Sequence, residues 1–130
     1  MGNFTFKKTE RISSKRTIEK IFAGGNSSVA VYPLRAVYML SEKDEVPAAV
    51  LVSVSKRRFR HAVDRNRVKR QVREAYRLNK QIVWEEMEKR DATLHIAFIC
   101  IADKLCPSSQ VARSMKKILH RIAEQFQIEE

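Results

Sequence analysis

Apolar residues recur along the chain with two periods, and the changes of period mark the elements. Ile18, Ile21 and Phe22 fall three and four apart behind Ser13 and Ser14, which predicts a short helix capped by a serine hydroxyl. Gly24-Gly25 ends it, since glycine accepts the left-handed conformation that closes a helix. Val29 to Leu40 is rich in β-branched and aromatic residues and predicts strand. Pro33 inside it implies an edge position, a bulge or two short strands. Ser41 to Pro47 is a polar turn. Ala48 to Ser55 alternates, with Val50, Val52 and Val54 on one face and Leu51, Ser53 and Ser55 on the other. From His61 or Ala62 to Lys89 there is neither glycine nor proline, which predicts a long helix with a break near Asn79. Thr93 to Ile101 is apolar on both faces, the pattern of a central strand covered on both sides. Pro107-Ser108-Ser109 offers an N-cap. Val111, Met115, Ile118, Leu119, Ile122 and Phe126 then follow at helical spacing as a strongly amphipathic helix. The order α-β-β-β-α-β-α, with the first strand region split, predicts one α+β domain over residues 1–130, with its core in about 10–126.

The long helix predicts its own orientation. At about 100° per residue, Val68, Val72, Ala75, Ile82 and Val83 share one face, and Tyr76 flanks it. Lys69, Arg70, Arg73, Arg77 and Lys80 project from the other side, with Arg67 at the margin. The apolar stripe is expected to dock on the sheet and the basic stripe to stand in solvent. Trp84 falls nearer the basic side, where the wheel gives it no task.

Charge turns this helix into a candidate site. The 130 residues hold 26 Lys+Arg and 15 Asp+Glu, a net of +11 and a pI near 10.1. Between Lys56 and Lys80 eleven bases face only Asp64 and Glu74, a net of +9, which leaves +2 for the rest of the chain. A soluble helix face would mix both signs for pairing one turn apart; concentration of one sign points to nucleic acid, ahead of an anionic membrane. Arginine prevails, and its planar fork binds phosphate in bidentate fashion and stacks on bases. Asn66 and Asn79 are candidates for base-edge or 2′-hydroxyl hydrogen bonds, and His61 for a phosphate contact. No leucine heptad follows Arg77, which argues against a basic-zipper DNA binder.

Other chemistry is sparse. No carboxylate cluster, nucleophile motif or glycine-rich phosphate loop is visible. Cys100 and Cys106 stand in a C-x5-C spacing without a second pair, which argues against zinc and suits a reducing compartment. Neither a membrane-spanning run nor an apolar signal stretch in Met1 to Lys8 is present, so a cytoplasmic location and no membrane partner are expected.

The run Arg65-Asn66-Arg67-Val68-Lys69-Arg70, continuing to Arg73-Glu74, resembles the signature of the bacterial ribonuclease P protein component. Val52-Ser53-Val54-Ser55-Lys56-Arg57 resembles the strand that leads into it, and Arg11-Ile12 through Ile21-Phe22 to Gly25 resembles the family's first helix. The likeness covers about residues 10 to 125. It implies a two-layer α-β sandwich similar to a domain of ribosomal protein S5, with a left-handed β-α-β crossover against the common rule. It implies a partner, the catalytic RNA, which cleaves the 5′ leader from precursor tRNA in a reaction that needs Mg2+; the protein itself is expected to hold no metal and no obligate protein partner. Ser55, Lys56, Arg57, Arg65, Asn66, Arg67, Lys69, Arg70 and Arg73 are implied to meet that RNA. Phe22 and Tyr38 are implied to stack on the leader in a cleft between the first helix and the sheet, a contact that tolerates many sequences. Without the resemblance, Phe22 reads equally as core beside Ile18 and Ile21, and Tyr38 as a strand tyrosine with a wet hydroxyl. Ile18 stands where some members carry an aromatic ring, and Leu51 where many carry glycine. The competing function is that of a ribosomal-type structural RNA-binding protein with no part in cleavage.

Overall fold

The apolar run on both faces of residues 93–100 decides the architecture. In the computed structural model, which describes residues 6–129, that run is the central strand of a four-stranded sheet. The strands are β1 (Ser27–Val31), β2 (Leu34–Ser41), β3 (Ala48–Ser53) and β4 (Thr93–Cys100), in the order β1-β2-β4-β3. β1 and β2 form a hairpin that turns at Tyr32-Pro33, so the proline divides the predicted strand into two. β2 pairs antiparallel with β4, and β3 pairs parallel with it, Val50 beside Ile96. Such a parallel pair needs a crossover, and helices α2 (Ala62–Asn79) and α3 (Gln81–Met87) supply it. The break falls at Lys80, one residue from Asn79.

Helices α2, α3 and α4 (Ser108–Glu129) cover one face of the sheet. Between them lies the larger core, which includes Leu34, Ile96, Phe98, Val72, Met115 and Ile122. Helix α1 (Lys15–Phe22) covers part of the other face with a smaller cluster of Ile12, Ile21, Ala49 and Ala97. Ile18 and Leu51, the two departures from the family pattern, both pack against this second cluster.

Local chemistry fixes the ends of α1. The Ser14 hydroxyl accepts from the Thr17 amide at 3.4 Å. Gly24 and Gly25 follow at φ 97° and 82°, a region open to glycine. The Asn26 side-chain amide then donates to the Lys20 and Ile21 carbonyls, each at 2.9 Å, satisfying acceptors that the helix leaves over.

The segment before α1 closes the exposed edge of β3. Arg11 bridges to Val50 in parallel register, and the Ile12 amide donates to the Val50 carbonyl at 2.9 Å. Directly before Arg11, Glu10 is buried and accepts from Lys80 Nζ at 2.8 Å, with both side chains 2% exposed. This corrects the sequence expectation that Lys80 projects with the basic stripe. The helix break shifts its phase, and an acid 70 residues away meets it. Trp84 gains its explanation here: the Lys80 ammonium lies 4.4 Å from its ring centroid, and its indole N–H donates to the Tyr76 hydroxyl at 3.0 Å. Tyr76 is fully buried rather than flanking, and burial pushes its hydroxyl pKa upward.

Candidate nucleic-acid interface

The basic surface begins at a loop whose own residues hold it in shape. Val54 and Phe59 are buried and anchor residues 54–59 to the core. Between them the Ser55 hydroxyl accepts from the Arg58 amide at 3.2 Å, and the Ser55 carbonyl accepts from the Phe59 amide at 3.1 Å. Arg58 donates to the Ile101 carbonyl and to Asp103, both at 2.8 Å, and so ties the loop to the end of β4. Lys56, Arg57, Arg60 and His61 are left exposed around it.

Arg65 does not project. It is half-buried, and its Nη1 donates to the carbonyls of Phe59 at 2.8 Å and Arg60 at 3.0 Å. It therefore positions the loop. We expect Arg65→Ala to destabilise the fold by about 1–2 kcal/mol, because a half-buried carbonyl and an exposed one both lose a charged donor. Amide exchange in residues 55–61 should rise with it; protection unchanged there would return Arg65 to the solvent-facing set.

Along α2 the wheel holds. Val68, Val72 and Ala75 are buried, Asn66, Arg67 and Arg70 are exposed, and Lys69 and Arg73 are half-buried at the flanks. Asn79 is withdrawn from the candidate contacts, since its amide donates to the Ala75 carbonyl at 2.8 Å. Gln71 donates to the Cys106 carbonyl at 2.9 Å and the Ser108 hydroxyl at 3.1 Å, which fixes α2 against the start of α4.

Two residues that the sequence did not name as RNA contacts form the opposite wall. Phe6 and Arg11, from the segment before α1, face Asn66, Arg70, Arg73 and Arg77 across an open groove of about 500 Å³. The Arg11 guanidinium lies over the Phe6 ring, 5.1 Å from its centroid, and Phe6 meets Tyr76 edge-on. Burial, and then the Arg11 charge, lower the pKa of Arg73 from its ordinary value. It nevertheless remains a cation at any physiological pH. Glu74 is the acid in the groove, and it is occupied: Arg77 Nε donates to it at 3.0 Å, which holds the carboxyl below its ordinary range. The groove therefore presents crowded guanidinium groups that an anion would relieve.

Phe22 and Tyr38 do not share a cleft. Phe22 is 47% exposed at the end of α1, on the face of the smaller core. Tyr38 is 7% exposed in the larger core on the opposite face, with its ring edge-on to Phe126 at 6.2 Å. The cause is the two-residue strand period: Val37 and Met39 point toward α1, so Tyr38 points toward α4. The expectation of a joint aromatic cleft is thereby corrected.

Cys100 and Cys106 are buried free thiols, and burial raises the Cys100 pKa. Among the described residues no three His, Cys, Asp or Glu side chains converge to hold a metal ion, and no helix is long and apolar enough to cross a membrane.

Comparison with known proteins places this geometry. The model of the Ribonuclease P family matches residues 6–123. The ribonuclease P protein component of Porphyromonas gingivalis is 47% identical over 123 residues, covering 94% of this chain and 89% of that protein. That of Chlorobium phaeobacteroides is 33% identical, covering 91% and 88%. The structure of the Staphylococcus aureus RNase P protein superposes with a TM-score of 0.67 at 25% identity, covering 92% of this chain and 99% of that one. The RNase P protein from Thermotoga maritima shares the fold, with a TM-score of 0.66 at 20% identity over 86% and 96% of the two chains.

Proposed function

The chain belongs to the ribonuclease P protein family and has the role of its protein subunit, and we propose that α2 grips the catalytic RNA while Phe22 meets the precursor's leader. The observation that carries this reading is the concentration of +9 on one segment, whose exposed cations line up opposite a buried apolar stripe. Lys56 and Arg57 on the loop, and Asn66, Arg67, Lys69, Arg70 and Arg73 on α2, take phosphates and riboses of the RNA. Ser55 and Arg65 act from behind by holding the loop. The hydrolysis of precursor tRNA belongs to the RNA and its Mg2+, and the protein contributes binding and orientation.

Reconstitution tests the proposal. The protein should raise precursor-tRNA cleavage by its catalytic RNA at low magnesium, where RNA folding and substrate binding are weakest. No stimulation, together with tight binding to ribosomal RNA, would favour the structural RNA-binding alternative.

The aromatic residues separate in a second test. Phe22→Ala should weaken binding of precursor tRNA severalfold and leave mature tRNA unaffected, because stacking contributes about 1–3 kcal/mol per base. Equal losses on both substrates would remove the leader role. Tyr38→Ala should instead destabilise the fold by about 3–5 kcal/mol, as large-to-small core replacements do.

A further inference from the structure

Helix α4 carries a second basic stripe, and the function described so far does not use it. Arg113, Lys116, Lys117 and Arg121, with His120 among them, are all exposed. At about 100° per residue they fall within about 140° of arc, opposite the buried Val111, Met115, Ile118, Leu119 and Ile122. From Lys104 to Ala123 the sequence contains no acid. Among the described residues none of the four cations has an ion pair, unlike Arg58, Arg77, Lys80, Lys89 and Arg90. Arg113 and Lys117, and Lys117 and Arg121, repel one turn apart on the same helix. The helix dipole does not reward them, because they occupy the middle of a 22-residue helix rather than its last turn.

We propose that this stripe is a second RNA-contacting surface, separate from that of α2, which takes backbone phosphates of the catalytic RNA. The proposal rests on the reading of the chain as a subunit bound to a large RNA. α4 packs beside α2 in the same layer, and Gln71 fixes the two at the start of α4. One extended polyanion lying over the helical layer therefore meets both stripes. A membrane surface fits less well. A helix that lies on lipid buries its apolar face there, whereas α4 uses its apolar face in the core. At the far end of the stripe, Arg121 borders an open cavity of about 520 Å³ that also contains Ser27, Tyr38 and Gln125. The Ser27 and Ser28 hydroxyls at that end suit a ribose, and Glu124 in the same lining disfavours a further phosphate there.

The test compares three variants of the full chain in binding to the catalytic RNA over a range of salt: K117Q/R121Q on α4, R67Q/R70Q on α2, and K43Q/K89Q elsewhere on the surface as a matched loss of charge. Each released phosphate contact lowers the slope of log affinity against log salt by about 0.7–0.9. The α4 and α2 variants should each lose about 1.4–1.8 in slope, and K43Q/K89Q much less. The α4 variant should also expose, to hydroxyl-radical cleavage, a stretch of RNA different from that exposed by the α2 variant. If K117Q/R121Q behaves like K43Q/K89Q while R67Q/R70Q flattens the slope, the α4 stripe is a solvated face and the proposal fails alone. If neither helix variant differs from the control, the RNA surface lies elsewhere and the parent reading fails as well. Far-UV circular dichroism should not change in any variant, and Tm should hold in the two helix variants, whose substituted groups are exposed and without ion pairs among the described residues; K43Q/K89Q gives up the Lys89–Glu86 pair and a bond to the Arg90 carbonyl, and its Tm should fall slightly.

Discussion

Replacing Arg67, Arg70 and Arg73 together with alanine should lower affinity for the catalytic RNA by about a hundredfold or more, at on the order of 1 kcal/mol or more per lost charge-assisted contact. The slope of log affinity against log salt should fall by about 2–3, because fewer condensed counterions are released. Arg67 and Arg70 are exposed on the outer face of α2, and Arg73 lines the groove opposite Arg11. The three side chains do not enter the core, which Val68, Val72, Ala75 and Tyr76 supply, so the fold should survive. Burial and then the Arg11 charge both disfavour the Arg73 cation, so its loss should cost little thermal stability. Titration by fluorescence anisotropy at several salt concentrations checks the result. A weakened complex with an unaltered slope would mean that these arginines support the fold or the RNA shape without touching phosphate.

Glu10→Ala should be the most damaging single substitution outside the hydrophobic core. It leaves the Lys80 ammonium 2% exposed without its acid, and breaking a buried pair from one side costs about 3–5 kcal/mol. For a chain of this size that lowers Tm by roughly 10 °C or more. The double replacement E10L/K80M should recover most of the loss, since an apolar pair of similar volume avoids desolvating two charges. Calorimetry on the two single variants and the double variant gives the coupling directly. Additive losses would show that the pair does not act as a unit. RNA affinity in Glu10→Ala should fall as well, because the same segment carries Arg11 and Phe6 to the wall of the groove.

Long and strongly patterned segments were legible in the sequence. Val111 to Phe126 could only be an amphipathic helix, and residues 93–100 could only be a strand apolar on both faces; both stand where periodicity put them. The outward set on α2 was legible for the same reason, because Val68, Val72 and Ala75 fix the phase. Arg65 and Asn79 have partners that the sequence did not disclose, because these are carbonyls of the local backbone, which residue identity does not reveal. Tyr38 was misjudged because its side depends on strand register, where a shift of one residue exchanges the faces.

Composition and periodicity alone determined that the chain folds as an α+β unit and that its charge gathers on one helix. Those properties are local: they depend on which residues are three, four or two apart. The tertiary structure decided what faces what. It buried Lys80 against Glu10, gave Trp84 the Tyr76 hydroxyl, set Phe6 and Arg11 across from Arg73, and placed Phe22 and Tyr38 on opposite faces. Each of those contacts joins segments remote in sequence, and its energy depends on distance and burial, which exist only once the chain has closed on itself.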